Sequence, residues 1–191
     1  MKLAIKMIVT LSIIGAVTAG ILNSVWNWAD PLIKENERKA TEEAIGIVQP
    51  NKVKYERLDI KEFEIYKVTD AENADLGYAL VTVGNGFQNK IKLMVGLNKE
   101  LTEIVGLTVL DQQETPGLGD EISKPYFQDR FKNLNITQEI TYLKGVKGDK
   151  NKGQIQAITG ATISSKAVVK LLNVTLQQLR KLKEFGGSNE K

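Results

Sequence analysis

Residues 77–110 read GYALVTVGNGFQNKIKLMVGLNKELTEIVGLTVL, and this stretch decides the fold. Gly77–Val83, Lys90–Leu97 and Glu103–Leu110 are runs of β-branched and apolar residues. Turn-forming residues separate them, with Gly84-Asn85-Gly86 read as the first turn. Three strands joined this closely predict an antiparallel meander, because a parallel pair needs a crossover of a dozen or more residues. Strand character begins near Val53, and Glu64–Val68 alternates as a further strand. Downstream, Pro125–Lys132 predicts a short helix with Tyr126, Phe127 and Phe131 turned inward. Glu139–Leu143 and Gln154–Ile158 predict two more short strands. Ile163–Lys183 is the strongest helix: Val168, Leu171, Leu172, Thr175, Leu179 and Leu182 recur at helical spacing. Gly186-Gly187-Ser188-Asn189 ends it and leaves 186–191 as a flexible tail. The fold class is α+β, a mainly antiparallel sheet with a long C-terminal helix, over residues 51–185.

Ahead of this domain, residues 7–29 carry no charged side chain. At about 1.5 Å per helical residue they are long enough to cross a hydrocarbon layer about 30 Å thick. Trp26 and Trp28 suit the membrane–water boundary. Lys2 and Lys6 in the short segment 1–6 place the N-terminus in the cytoplasm and the rest outside it. A cleaved signal peptide, with Val17-Thr18-Ala19 as its site, is the competing reading and exports the same domain. Residues 30–50 read as a helical stalk. Asp30 is its N-cap, Pro31 its first helical residue, and Leu32, Ile33, Ala40, Ala44, Ile45 and Val48 form a thin apolar face.

The 191 residues hold 26 Lys+Arg against 23 Asp+Glu, a balance that argues against a nucleic-acid binder of the basic-patch type. Cys and His are both absent. Disulfides, zinc fingers, cysteine-held iron–sulfur clusters, His-ligated haem and Ser-His-Asp or Cys-His catalysis are therefore excluded. If the chain handles electrons, a non-metal cofactor carries them. Neither Gly84-Asn85-Gly86 nor Gly117-Leu118-Gly119 completes a dinucleotide fingerprint, and no Walker-type loop occurs. The lysine-rich run 144–152 reads as a solvated loop.

Two segments are suited to a ligand. Ile158-Thr159-Gly160-Ala161-Thr162-Ile163-Ser164-Ser165-Lys166 lies between a strand and the long helix. The free N–H groups and positive dipole end of a helix start favour an anion. Gly160 permits close backbone approach, Thr159, Thr162, Ser164 and Ser165 offer hydroxyls, and Lys166 adds charge. A plain helix cap accounts for the same residues. The second segment is Asp111-Gln112-Gln113-Glu114-Thr115-Pro116-Gly117-Leu118-Gly119-Asp120. Pro116-Gly117 sets a tight turn, Gly117 and Gly119 would let a flat ring lie against the backbone beside Leu118, and Glu114 and Thr115 could bond a heterocycle edge. An ordinary polar turn is the alternative.

Taken in order, these segments resemble the FMN-binding domain found in the G subunit of the Rnf electron-transport complex and shared by the C subunit of the sodium-pumping NADH:quinone reductase. The resemblance rests on the N-terminal span, Gly77-Tyr78-Ala79, Met94-Val95-Gly96, Glu114-Thr115-Pro116-Gly117-Leu118-Gly119, the Phe127–Phe131 helix and Thr159-Gly160-Ala161-Thr162 before the last helix. It implies an FMN joined through its phosphate to the Thr162 hydroxyl, installed by a separate flavin transferase. Thr159, Gly160, Ala161, Ser165 and Lys166 would surround the phosphate. Glu114, Thr115, Gly117, Leu118 and Gly119 would border the isoalloxazine. The chain would relay electrons within a bacterial inner-membrane complex that moves electrons between ferredoxin and NAD and couples the transfer to Na⁺ or H⁺ movement. Its partners would be the other membrane and peripheral subunits. The expected chain has no catalytic side chain and no metal of its own. Because residues 7–29 lack an ionisable group, any ion path falls to partner subunits. The turn at 84–90 departs from the Gly-rich turn common in the family. The quinone-reductase subunit, whose members tend to be longer, and a membrane-anchored binding or structural module without flavin remain the alternatives.

Overall fold

The computed structural model describes residues 2–50, 52, 54–58, 60 and 63–186. The chain divides into two compact units, Met1–Glu42 and Glu43–Lys191. The expected strand onset at Val53, the tail residues 187–191 and the side chain of Leu182 lie outside what is described.

Most of helix α1 (Lys2–Val48) forms the first unit. It is long and apolar enough to cross a membrane, and its apolar side chains from Leu3 to Trp28 stand exposed. The sequence pattern starts a new helix at Asp30-Pro31; the structure instead runs one helix straight through Pro31. A proline deprives a helix of its own N–H bond but leaves the flanking turns to carry the ladder. Asp30 serves as a pairing partner rather than a cap, meeting Lys34 Nζ at 2.7 Å one turn on. Leu32 and Ile33 do not contribute to a buried face, being 50% and 48% exposed.

The second unit opens with the last turn of α1, where Ala44, Ile45 and Val48 are buried. Strands β1 (Lys54–Leu58), β2 (Glu64–Thr69), β3 (Asp75–Asn85), β4 (Lys90–Leu97), β5 (Glu103–Gln112) and β6 (Leu134–Asn135) follow in spatial order as an antiparallel meander. β3 continues through Gly84-Asn85, so the turn falls at 86–89, two residues later than expected. Helix α2 is only Pro125–Gln128. Phe127 and Phe131 are fully buried and pack edge to face with centroids 5.3 Å apart. Tyr126, expected inward, is 46% exposed and donates its hydroxyl to Glu121. A helix of one turn buries a single direction, and here that direction belongs to Phe127. β7 (Thr141–Leu143) and β8 (Gln154–Gln156) form a separate parallel pair, each shorter than expected. α3 (Thr162–Gly186) closes the described chain.

Strand alternation sends the two sheet faces to different cores. Ile65, Leu80, Leu93, Val95 and Leu107 pack with Phe127, Phe131 and the Val168, Leu172, Leu176 stripe of α3. On the opposite face Tyr66, Ala79, Val81 and Met94 meet the end of α1. Gly96 and Gly106, paired across β4 and β5, make room for that turn. A Cβ on Gly106 would sit 3.0 Å from Val48 Cα, and one on Gly96 would meet the Val48 carbonyl. Gln49 Nε2 then donates to Leu97 O at 2.9 Å. The sheet thus presents the ends of β3 and β5 to the start of α3, where the site lies.

Candidate functional site at the start of helix α3

The turn after β5 is built from Thr115 to Leu118, with Leu118 N–H donating to Thr115 O at 3.1 Å. Pro116 occupies its second position and Gly117 its third, at φ +73°, which matches a turn demanding a positive φ there. Glu114 stands at its base and is 5% exposed. Its Oε1 accepts backbone N–H groups from Phe87 at 2.9 Å, Gln88 at 3.0 Å and Asn89 at 3.5 Å. Its Oε2 accepts the Ser164 hydroxyl at 2.6 Å. Burial alone would raise the carboxyl pKa, but the Ser164 hydroxyl and the three backbone donors outweigh it and hold it below 4.5. Two glycines make the clasp possible. A Cβ on Gly119 would lie 2.7 Å from Glu114 Oε2 and 2.8 Å from Ser164 Oγ, and one on Gly86 would run into Glu114 Oε1.

The two candidate segments, far apart in sequence, are therefore joined through one carboxylate. Gly160, at φ +86°, brings the second segment against the first: its absent Cβ would sit 3.9 Å from Leu118 Cδ2. Within the second segment the hydroxyls divide sharply. Ser165 is fully buried, accepts Ile158 N–H at 3.0 Å and donates to Ala161 O at 3.1 Å. Ser164 is buried and committed to Glu114. Thr162, half-buried, makes only a 3.4 Å contact with Ile158 O, at the weak end of hydrogen-bond geometry. Thr159 and Lys166 are exposed, and Ala161 is buried in the core. The first helical backbone bond is Ser165 N–H to Ala161 O, at 3.1 Å. The N–H groups of Thr162, Ile163 and Ser164 precede it, as the leading donors of a helix do. Leu118 and Ile163 are 51% and 57% exposed and give this part of the site apolar surface.

Glu114 is engaged through both carboxylate oxygens, whereas Thr115 Oγ1 donates to Gln88 Oε1 at 2.7 Å and keeps its acceptor lone pairs. Asp120 Oδ1, buried without a hydrogen-bond partner, is an uncommitted acceptor of this segment. Sequence reasoning reads Gly86 as a turn residue but gives neither it nor the 87–89 amides a part in the site, and it uses Ser164 only as a spare hydroxyl. Gly86 is legible as a turn glycine, but nothing local points from it to Glu114.

The FMN-binding domain family matches residues 86–177, which begins at Gly86 and ends within α3. The G subunit of the ion-translocating oxidoreductase complex of Methanosarcina acetivorans is 33% identical over 176 residues, covering 88% of this chain and 90% of that one. The chain belongs to this G-subunit family of ion-translocating oxidoreductase complexes. The C subunit of the Na⁺-translocating NADH-quinone reductase of Haemophilus ducreyi matches over a shorter stretch, at 33% identity over 117 residues, 59% of this chain and 45% of that one. The crystal structure of Shewanella oneidensis NqrC shares the fold, with a TM-score of 0.57 at 17% identity over 68% of this chain and 67% of that one. For this member of the G-subunit family, the α+β architecture expected from the meander and the long final helix is the observed one.

Proposed function

We propose that this G-subunit relative carries FMN, joined by a phosphoester to Thr162 Oγ1, and relays electrons as the flavoprotein subunit of a membrane-bound ferredoxin:NAD oxidoreductase that moves Na⁺ or H⁺. The observation that carries the reading is the contrast among hydroxyls. At the start of α3 the serines are buried and bonded, while Thr162 stands at the first helical position with its oxygen held by nothing stronger than a 3.4 Å contact. A phosphate on that oxygen would lie before the N–H groups of Thr162, Ile163 and Ser164, which have no partner among the described residues, and the positive end of the helix dipole. Lys166, one turn on, adds a positive charge, and Thr159 and Gly160 leave the approach open. Leu118 and Ile163 supply apolar surface for a ring, and Gly117 and Gly119 keep the turn beside it free of side chains. Ala161 and Ser165 hold the turn from inside.

Bound there, FMN would supply one- and two-electron chemistry, and the chain would supply place and environment. Glu114 acts by position in this reading. It ties the Leu118 turn and the 87–89 loop to Ser164, so the surface offered to the ring and the hydroxyl that bears the phosphate keep a fixed relation. A covalent tether retains the cofactor without relying on affinity, which suits a domain placed outside the cytoplasm. A flavin transferase would make the bond, and the remaining subunits would deliver and accept electrons and provide the ion path. The orientation with residues 1–6 inside follows from Lys2 and Lys6.

The test is fluorescence of the denatured, gel-separated chain produced with a flavin transferase. The wild-type band is expected to fluoresce as a flavin and the Thr162→Ala band to be dark. A fluorescent Thr162→Ala band would refute the attachment point, and a dark wild-type band would refute covalent flavin altogether.

A further inference from the structure

A groove of about 830 Å³ lies between α3 and residues 137–142, and the flavin reading touches it only through Lys166 at its edge. It opens at Lys166 and continues past Lys170 and Asn173 to Arg180. At Asn173 the two walls are bridged. Its Oδ1 accepts Ile140 N–H at 2.9 Å, and its Nδ2 donates to Ile140 O at 2.8 Å. One side-chain amide thus pairs with a backbone residue much as a neighbouring strand would.

The next outward-facing residue has no such partner. β7 is paired with β8 along one edge, and Thr141 N–H donates to Gly153 O at 2.9 Å while Leu143 O accepts from Ala157 N–H at 2.8 Å. Thr141 and Leu143 therefore direct their peptide groups toward β8. Alternation turns the N–H and C=O of Tyr142 the opposite way, to the side on which Asn173 meets Ile140. Among the described residues nothing pairs with them, and Tyr142 lines the groove together with Lys166 and Lys170. An open strand edge of this kind is a template for another chain.

The charges around the edge specify the occupant. Glu139 Oε1 accepts from Asn173 Nδ2 at 3.4 Å, and the Arg180 guanidinium donates to Ile136 O. Lys166 and Lys170 take part in no ion pair among the described residues. Lys166 adjoins the Thr162 turn, whereas Lys170, one turn further, belongs to the groove.

We propose that this groove receives an extended acidic segment of a partner polypeptide, which pairs its backbone with Tyr142 as Asn173 pairs with Ile140 and sets a carboxylate against Lys170. A lone anion would satisfy the lysines but not the Tyr142 carbonyl, which needs a donor. A peptide group supplies donor and acceptor together, the pattern of strand addition at a sheet edge. The proposal does not depend on a flavin at Thr162.

The test compares amide hydrogen exchange in the full chain purified from its own host with its bound partners and in the same chain stripped of them by salt in detergent. Exchange at Tyr142 is expected to be at least about tenfold slower in the assembly. A zero-length carbodiimide is expected to join Lys170 to an Asp or Glu of a second polypeptide. Lys170→Glu is expected to lower partner recovery about tenfold, by like-charge repulsion, with flavin attachment unchanged. Equal exchange at Tyr142 in the two preparations, or the absence of any co-purifying polypeptide, overturns the proposal. Slowing reproduced by phosphatidylglycerol vesicles added to the stripped chain also overturns it, assigning the groove to a lipid surface. Thr162→Ala is expected to leave the protection at Tyr142 intact, and protection that vanishes with the flavin counts against an independent groove.

Discussion

The two halves of the site are built on opposite plans. The Glu114 carboxylate is engaged on both sides: one oxygen takes the amides of 87–89, the other takes Ser164, and Gly86 and Gly119 exist at those positions because no Cβ fits. Around Thr162 the leading N–H groups have no partner among the described residues, and the threonine hydroxyl is loosely bonded. Glu114 and Ser164, both buried, resist movement, since either would be left unsatisfied away from water. Loosely held groups are available for chemistry. The difference teaches that the clasp supplies geometry and the turn supplies reactivity, and that each can be disturbed without the other.

The severest disturbance is expected at the clasp. Glu114→Ala strands the 87–89 amides and the Ser164 hydroxyl and is expected to destabilise the domain by about 3 kcal/mol or more in urea denaturation. A cost under about 1 kcal/mol would show that the clasp is incidental. Ser164→Ala, which removes a single donor from Glu114, is expected to cost about 2 kcal/mol while the denatured band keeps its flavin fluorescence. Loss of flavin without loss of stability would reverse the assignment of roles.

Acid separates the halves next. The Glu114 carboxyl is held below 4.5 in the folded chain, so its contribution is complete above that value and is lost as pH falls through the folded pKa. The stability gap between wild type and Glu114→Gln is therefore expected to be constant above about pH 4.5 and to shrink below it. A gap that widens on acidification would contradict the ionised clasp. The smallest effect is expected at the open turn, where Thr162→Ala should change unfolding stability by no more than about 0.5 kcal/mol.

The sequence exposed the strands well because Lys90–Leu97 and Glu103–Leu110 are long enough for their apolar pattern to dominate local propensity. Helix α3 was legible for the same reason, through its Val168, Leu172 and Leu179 stripe. The pattern turns Tyr126 inward, but one helical turn carries too little periodicity to choose a face, and the residue stands exposed. Asp30-Pro31 reads as a helix start because the local cap signal is strong. The flanking turns, with Asp30 paired to Lys34, override it. Both ligand segments could be found from their glycines and hydroxyls. Their junction could not, since a bond from Glu114 to Ser164 depends on where β5 ends relative to α3, and local pattern holds no such information.

The most direct measurement is a peptide map, by mass spectrometry, of the chain matured in its own host. The account predicts that the peptide containing Thr162 carries the mass of FMN as a phosphoester, localised by fragmentation to that residue, and that the peptide containing Glu114 and Thr115 is unmodified. An unmodified Thr162 in flavin-bearing protein, or a flavin localised to Thr159 or Ser164, would contradict it.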